Sequence, residues 1–413
     1  MNKEIKPFKY NGSIYINSSK SVYQRAVALA CFSKKKFQII GDSNNTDSQT
    51  AIRICKEIGL NIVKSENKLE IFGELYSDKS SLQISSIESG LCIRLFGVLL
   101  LSVFNEVNML LTGTAKERKF DFTSLKELGV DSFIKDSSIL LRGKLNSGVI
   151  NIDNPNTSQL LTGLLITLPF LKGDSIVYCK NPVSINYIDI TLDLLEKLGI
   201  VIKNENHTKF IIKGNQTINQ HKIIVEGDWS GAAFHFVGAA ISGKIKVYGL
   251  NIDSNQGDKQ ILDLLSKCGA EVNIYDSYIE VKKNQLKSFT FDATDVPDLI
   301  PPLTVLASSC DGESYIYGTD RLINKESNRA LSLEKEFSKL GVRIISKKNC
   351  FKIIGCNKIK GGYVDSHNDH RIAMALSVMA TVAKTPVTIT NSSVVDKSNS
   401  RFYNDLDKIS KLN

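Results

Sequence analysis

Five glycines, Gly59, Gly129, Gly199, Gly269 and Gly341, each end an apolar helical pattern and precede a β-type run, and they stand 70, 70, 70 and 72 residues apart. A further step of 72 reaches Asn413, where Leu406-Asp407-Lys408-Ile409-Ser410-Lys411-Leu412 repeats the helical pattern and asparagine takes the capping place that glycine fills elsewhere. A chain with this period is six copies of one α/β repeat. The period is longer than that of the common solenoids, so closed globular domains are expected. With 413 residues and 42% hydrophobic content, two domains of three repeats each are the natural division.

About 40 residues before each glycine, or before Asn413, a polar cluster opens an apolar, small-residue-rich helix. These clusters are Lys20-Ser21, Glu88-Ser89-Gly90, Thr157-Ser158-Gln159, Asp228-Trp229-Ser230, Asp298 and Asn368-Asp369-His370-Arg371. The helices that follow are apolar on nearly every side, which requires burial, so only their N-terminal ends are polar. A second cluster, 11 to 16 residues before the glycine, opens an amphipathic helix: Asp47-Ser48, Lys116-Glu117-Arg118, Ser184 with Tyr187, Asn255-Gln256-Gly257-Asp258, Lys325 to Arg329, and Lys397-Ser398. Short β-type runs such as Lys68 to Phe72, Ser138 to Leu141, Phe210 to Ile212, Tyr278 to Val281 and Cys350 to Ile354 complete a βαβαββ repeat.

Serine, threonine, aspartate and asparagine in these clusters are ordinary helix caps. Cations are not, because the positive end of the helix dipole disfavours them. Lys20, Arg118, Lys325, Arg329, Arg371 and Lys397 nevertheless stand at or near such ends. An anion held at helix N-termini explains the pattern most simply, and this many cations calls for several anions or a polyanionic substrate pair.

The net charge of +9 spreads over a chain rich in Lys, Asn, Ile and Ser throughout, which reads as compositional bias and not as a nucleic-acid surface. Eight scattered cysteines without a C-x-x-C pair read as reduced thiols of a cytoplasmic protein. No secretory signal is expected at the N-terminus, and no apolar run has the length of a membrane span. The five histidines lack ligand spacing, so neither a metal nor another cofactor is expected.

Nine motifs in order resemble the 5-enolpyruvylshikimate-3-phosphate synthase family. They are Lys20 to Arg25, Leu111-Thr112-Gly113 with Lys116-Glu117-Arg118, Thr157-Ser158-Gln159, Ser184 with Tyr187 to Thr191, Val225 to Asp228, Val296-Pro297-Asp298, Lys325 to Arg329, Asn368 to Arg371, and Lys397-Ser398. The resemblance implies an α/β fold of two inside-out barrels, each of three βαβαββ repeats with buried parallel helices. It places residues 19–226 in one domain and residues 1–18 with 227–413 in the other, with the active site in the cleft between them.

The reaction implied is transfer of the enolpyruvyl group of phosphoenolpyruvate to the 5-hydroxyl of shikimate 3-phosphate, by addition and elimination with release of phosphate. By this resemblance Lys20, Ser21, Arg25, Thr157, Ser158, Ser184, Tyr187, Asp298 and Lys325 would bind shikimate 3-phosphate. Lys20, Gly90, Arg118, Gln159, Arg329, His370, Arg371 and Lys397 would bind phosphoenolpyruvate, with Gly90 letting the backbone approach it. Asp298 would act on the hydroxyl, and Lys20 with Glu326 would move protons, the lysine helped by a pKa that neighbouring cations depress. A salt bridge to Lys325 or Arg329 is the competing structural role for Glu326. A monomer binding these two small molecules, with no nucleic acid and no membrane, is the family expectation.

Three positions depart from the family pattern: Lys119 stands for the usual proline after Arg118, Leu91 for a threonine after Gly90, and Asn399-Ser400 for an aromatic-proline pair. They touch loop rigidity and wall shape and leave the named charges in place. Two alternatives stand beside this reading. One is the sister enzyme acting on UDP-N-acetylglucosamine, whose usual loop cysteine is absent from Leu111 to Phe120. The other is a non-catalytic relative, which would be expected to lack Asp298, Glu326 and Lys20.

Overall fold

The computed structural model describes residues 1–410 other than 43, 76, 77, 136 and 357. Lys411, Leu412 and the expected cap Asn413 lie outside the described residues. The chain divides into two compact units, Lys20–Val225 and a split unit made of Met1–Ser19 with Glu226–Asn413.

The helices are α1 (Lys20–Ala30), α2 (Thr46–Glu57), α3 (Gly90–Leu100), α4 (Gln159–Thr167), α5 (Ile185–Lys197), α6 (Trp229–Ser242), α7 (Ile261–Lys267), α8 (Ile300–Ser308), α9 (Arg329–Lys339), α10 (His370–Ala380) and α11 (Phe402–Ser410). Every residue of α3, α6, α8 and α10 is buried, as the lack of a polar face requires. In the Lys20–Val225 unit α1, α3 and α4 pack on one another, and in the split unit α6, α8 and α10 do the same. Each unit has its own apolar core around its three helices. Burying one Leu, Ile or Phe side chain contributes about 1.5–3 kcal/mol, so these helices are held by packing more than by helix propensity.

The six sheets repeat one wiring. In the first repeat Phe37–Ile40 pairs parallel with Lys222–Ile224 and antiparallel with Lys68–Phe72, which pairs antiparallel with Asn61–Ser65. The same order returns in strands Ser81–Ile87, Glu106–Leu111, Ser138–Arg142 and Asp131–Lys135. It returns again in Val149–Asp153, Ser175–Lys180, Lys209–Ile212 and Ile202–Glu205. In the split unit it runs through Ser13–Tyr15, Lys244–Tyr248, Tyr278–Lys282 and Glu271–Ile274, and then Thr290–Asp292, Glu313–Tyr317, Cys350–Ile354 and Arg343–Lys347. The sixth sheet, Gly362–Asp365, Val387–Thr390 and Lys3–Ile5, takes its antiparallel strand from the N-terminus.

Opening strands are therefore exchanged along the chain. Ser13–Tyr15 begins the fourth repeat's sheet, and Lys222–Ile224 completes the first. Between these pairings the chain passes from one unit to the other at Ser19–Lys20 and at Val225–Glu226. The two passages run side by side, with Ser18 bridged to Gly227 and Ser19 N donating to Glu226 O at 2.7 Å.

The second repeat departs from the expected helix. Gly113–Glu117 and Thr123–Leu128 are 3-10 turns, and Arg118 between them is extended. Asp121 accepts from the Thr123 backbone N–H at 2.9 Å, so the chain turns only a few residues before Gly129 and too little length remains for an α-helix. Gly129 itself has φ +88°, the left-handed conformation expected of a helix-ending glycine.

Candidate functional site

The polar ends of the buried helices gather two groups of residues, one in each unit. In the Lys20–Val225 unit, Lys20 is the first residue of α1 and its ammonium pairs with Asp47 at 2.9 Å. One turn on, Arg25 is fully buried. Its guanidinium donates to Ser21 O (2.8 Å), Thr191 Oγ1 (2.9 Å), Tyr187 O (3.2 Å) and Thr162 Oγ1 (3.3 Å), and lies 6.0 Å from the Tyr187 ring centre. Those acceptors are all neutral. Among the described residues Arg25 has no carboxylate at ion-pair distance, and burial pushes its pKa down to about 10 against the weaker opposing influence of Tyr187.

A second buried arginine stands nearby. Arg94 of α3 donates to Gln159 Oε1 at 2.8 Å, and to Gly90 O and Lys119 O, each at 3.3 Å. Burial first, and the Arg118 charge second, lower its pKa to about 9. Gly90 makes room at the α3 N-terminus, since a Cβ there would lie 2.5 Å from Arg118 Nη2. The space expected to admit a ligand to the Gly90 backbone is thus occupied by the Arg118 guanidinium. Arg118 does not begin a helix of its own but reaches the start of α3 from an extended segment.

The hydroxyls beside these cations differ in whether they cap a helix. Ser158 and Ser184 occupy the N-cap positions of α4 and α5, and neither side chain makes a cap hydrogen bond. Thr157 Oγ1 accepts from Gln159 N at 3.3 Å. Ser184 sits at φ +55°, a strained conformation for a residue with a Cβ. The capping role that composition suggests is filled elsewhere, by Asn45 on α2 and Ser89 on α3.

In the split unit the cations have carboxylate partners. Arg329, the first residue of α9 and 1% exposed, binds Asp298 at 2.9 Å, Glu326 at 2.6 Å and Asp369 at 2.7 Å. Arg371, in the first turn of α10, holds the other Asp298 oxygen at 3.0 Å, and Lys325 lies 3.6 Å from Asp298. Asp369 also caps α10 by accepting from Arg371 N at 2.9 Å. His370 is buried beside it, with Nδ1 3.9 Å from Asp369 Oδ1. Lys397 Nζ donates to Asn368 O at 3.2 Å, which brings that lysine to the α10 entrance rather than to the start of α11.

Cations at helix ends therefore need not imply a bound anion wherever they occur. Protein carboxylates pair directly with Arg329, whereas Arg25 is bonded to neutral oxygens, and Arg94 is bonded to neutral oxygens with Asp121 as the carboxylate that acts on its charge. Keeping a buried ion without a counter-charge costs several kcal/mol, so the Lys20–Val225 group is the one built to gain from an anion. Asp298 has the opposite character. Burial is the largest single influence and would raise its pKa, but Arg371, Lys325 and Arg329 together hold it well below the usual carboxylate range. Burial lowers Lys325 to about 8, the kind of depressed lysine expected at Lys20, although its main cause is desolvation and not crowding by cations.

Residues 5–406 match the family model for EPSP synthase (3-phosphoshikimate 1-carboxyvinyltransferase). The chain belongs to the EPSP synthase family. It is 35% identical to the 3-phosphoshikimate 1-carboxyvinyltransferase of Clostridium novyi (strain NT), over 99% of this chain and 97% of that one. It is likewise 35% identical to that of Clostridium acetobutylicum, with 98% and 96% covered. A solved structure of EPSP synthase from Acinetobacter baumannii superposes with a TM-score of 0.82 at 21% identity, covering 99% of this chain and 98% of the other.

Arg94 and Asp369 belong to the two groups at the helix entrances, and the sequence-based residue set omits them. An arginine inside the otherwise apolar run Leu91 to Leu101 was the available signal for Arg94. Among the departures from the family pattern, Leu91 is buried, Lys119 supplies a carbonyl to Arg94, and Asn399 is buried with a bonded side chain. Among the described residues no cluster of histidine, cysteine and carboxylate could hold a metal, and no helix is long and apolar enough to cross a membrane.

Asp258 gives the split unit a pH dependence. Its buried carboxyl is bonded to the Ser230 hydroxyl, and burial, then the Asp298 charge, push its pKa up to about 7, with Arg371 opposing. The unfolded value is about 3.9, so the native state binds more protons between these values, and stability falls as pH rises through about 7. Asp258→Asn, which keeps an acceptor for Ser230, should stabilise the protein by a few kcal/mol at pH 8, with the gain vanishing below about pH 4. Urea titrations at pH 4, 6 and 8 measure this; an equal effect at all three would contradict it.

Proposed function

We propose that the chain transfers the enolpyruvyl group of phosphoenolpyruvate to the 5-hydroxyl of shikimate 3-phosphate, releasing phosphate. Membership in the EPSP synthase family, over residues 5–406, is the observation that carries the reading. The same match favours shikimate 3-phosphate over a sugar nucleotide as acceptor, and Asp298, Glu326 and Lys20 are all present, against a non-catalytic relative.

On this reading the groups in the two units serve one substrate pair. Arg25, with Ser21, Thr157, Ser158, Ser184, Tyr187 and Lys325, binds shikimate 3-phosphate. Arg118, Gln159, Arg329, His370, Arg371 and Lys397 bind phosphoenolpyruvate at the entrances of α3, α4 and α10, and Lys20 touches both. The buried charge of Arg25, bonded to neutral oxygens, supports a phosphate beside it. Bringing two anionic substrates together costs about 4 kcal/mol per like-charge pair at 4 Å and an effective dielectric of 20, which these cations offset.

Asp298 takes the proton of the 5-hydroxyl as its oxygen attacks C2 of phosphoenolpyruvate, while the methylene carbon is protonated. Loss of phosphate and of a methyl proton from the tetrahedral ketal then completes the transfer. Lys20 and Glu326 are the proton-transfer pair. Glu326 is bonded to Arg329 in the structure, so it works with one oxygen fixed by that arginine. Phosphoenolpyruvate on Arg371 and Lys397 draws positive charge toward itself, which raises the basicity of an otherwise weakly basic Asp298.

We infer further that each unit is an inside-out barrel, with parallel helices at the centre and the small sheets outside; burial of every residue of α3, α6, α8 and α10 supports this. A cytoplasmic monomer fits eight free cysteines and a residue set supplied by one chain. Phosphate release from phosphoenolpyruvate should depend strictly on added shikimate 3-phosphate. Release that is independent of it, or supported only by UDP-N-acetylglucosamine, would overturn the assignment.

A further inference from the structure

The Asn399-Ser400 pair, where the family pattern has an aromatic residue and proline, lies at a junction of the split unit. Asn399 is 3% exposed and Asn17 6% exposed. Asn17 Nδ2 donates to Asn399 Oδ1 at 2.6 Å, and the Arg401 backbone N–H donates to the same oxygen at 3.2 Å. Arg401 Nε in turn donates to Asn17 Oδ1, and its Nη2 donates to Tyr15 O at 2.9 Å. Three side chains thus form a closed set, with the Asn17 amide gripped at both ends.

This set reaches both passages of the chain between its units. Asn17 lies two residues before Ser19, and its carbonyl accepts from the Asp228 backbone N–H at 2.9 Å, next to the Ser18–Gly227 bridge. On the other side Asn399 N donates to Val395 O at 2.8 Å and closes the turn that carries Lys397. One residue, the buried Ser398, separates the anchored Asn399 from Lys397. Backbone bonds from Ser398 N and Asn399 N to Val395 O hold Lys397 within this turn, and the Asn399–Asn17 bond ties the turn to the N-terminal segment. An aromatic-proline pair would hold such a turn by shape and ring rigidity; here hydrogen bonds do so.

We propose that Asn399, held by Asn17 and Arg401, is a positioning residue that sets the placement of Lys397 and thereby the affinity for phosphoenolpyruvate. The proposal rests on the assignment of Lys397 to that substrate. Asn399 and Arg401 lie far along the chain from Asp298 and from the shikimate 3-phosphate residues, whereas Asn17 precedes Lys20 by three residues, so it is the loss of Asn399 that acts on one KM and leaves the chemistry in place. A buried hydrogen-bonded anchor is of the size that changes affinity about tenfold.

Steady-state kinetics of the full-length protein test it. Asn399→Ala should raise KM for phosphoenolpyruvate about tenfold, with kcat and KM for shikimate 3-phosphate within about threefold of the parent, and Asn17→Ala should raise the same KM for phosphoenolpyruvate. The double variant should raise that KM by less than the product of the single effects, since both delete the Asn17–Asn399 bond. Asn399→Asp, which keeps the acceptor oxygen, should restore most of the affinity.

An unchanged KM for phosphoenolpyruvate in Asn399→Ala, equal rises in both KM values, additive single effects, or no rescue by Asn399→Asp would each overturn the proposal. Thermal melts of each variant exclude a folding defect; should Asn399→Ala unfold, Arg401→Lys gives the same reading, because lysine lacks the fork that reaches Asn17 and Tyr15 together. Failure of the functional assignment is distinguishable, since the parent would then show no release of phosphate dependent on shikimate 3-phosphate.

Discussion

Asp298→Asn is expected to lower kcat by two to four powers of ten while leaving phosphoenolpyruvate bound at least as tightly as before. The two halves of that result have different causes. Asparagine is nearly isosteric and keeps one acceptor oxygen, enough for Arg329, which holds Asp298 Oδ1 at 2.9 Å, while its NH2 replaces the oxygen that accepts from Arg371 at 3.0 Å and frees that arginine. It cannot take a proton, which removes the general base. It also withdraws a negative charge from beside Arg371, Arg329 and Lys325, leaving them freer to attract an anionic substrate. Phosphate-release kinetics together with titration calorimetry of phosphoenolpyruvate in the presence of shikimate 3-phosphate separate the effects. A kcat within tenfold of the parent would remove Asp298 from the role of base. Weaker binding would show that its charge is structural and not catalytic.

The architecture was legible because its cause is periodic. Five evenly spaced glycines punctuate repeats of a buried helix and short alternating runs, and the strands expected at Lys68 to Phe72 and Cys350 to Ile354 are present at those bounds. The second repeat failed because a local bond, Asp121 to Thr123, overrides a weak helical pattern. Helix-end cations were visible too, but their compensation was not. Whether Arg329 faces solvent, ligand or three carboxylates depends on Asp298 and Asp369, 31 and 40 residues away. Arg118 was assigned to the wrong helix end for the same reason, since its guanidinium serves α3 across a turn that sequence spacing does not reveal. Hydrophobic period reports which face is buried; it carries no information on which charges meet across elements.

Arg329→Met is expected to cause the largest loss of stability, about 3–5 kcal/mol, because it removes a cation shared by three carboxylates and leaves Asp369 buried without its ion pair to Arg329. The guanidinium is 1% exposed and Asp369 is fully buried, so water cannot replace the lost partner. Asp298 keeps Arg371 and Lys325, but Asp369 and Glu326 lose the cation that joins them to α9. Asp369 is also the cap of α10, so the helix entrance that carries His370 and Arg371 loosens with it. The pH dependence distinguishes this account from simple loss of packing. In the parent, Asp298, whose pKa burial would raise but Arg371, Lys325 and Arg329 hold well below the usual carboxylate range, contributes stability that is present above about pH 4 and is lost as pH falls through its native value. In the variant Asp298 loses one of its three cations, so its carboxyl takes up a proton at higher pH and this contribution shrinks. The gap between parent and variant should therefore be widest at pH 8 and shrink steadily toward pH 4. Guanidinium unfolding curves across that range measure it, and a gap independent of pH would show that Arg329 holds the split unit by its alkyl chain and shape.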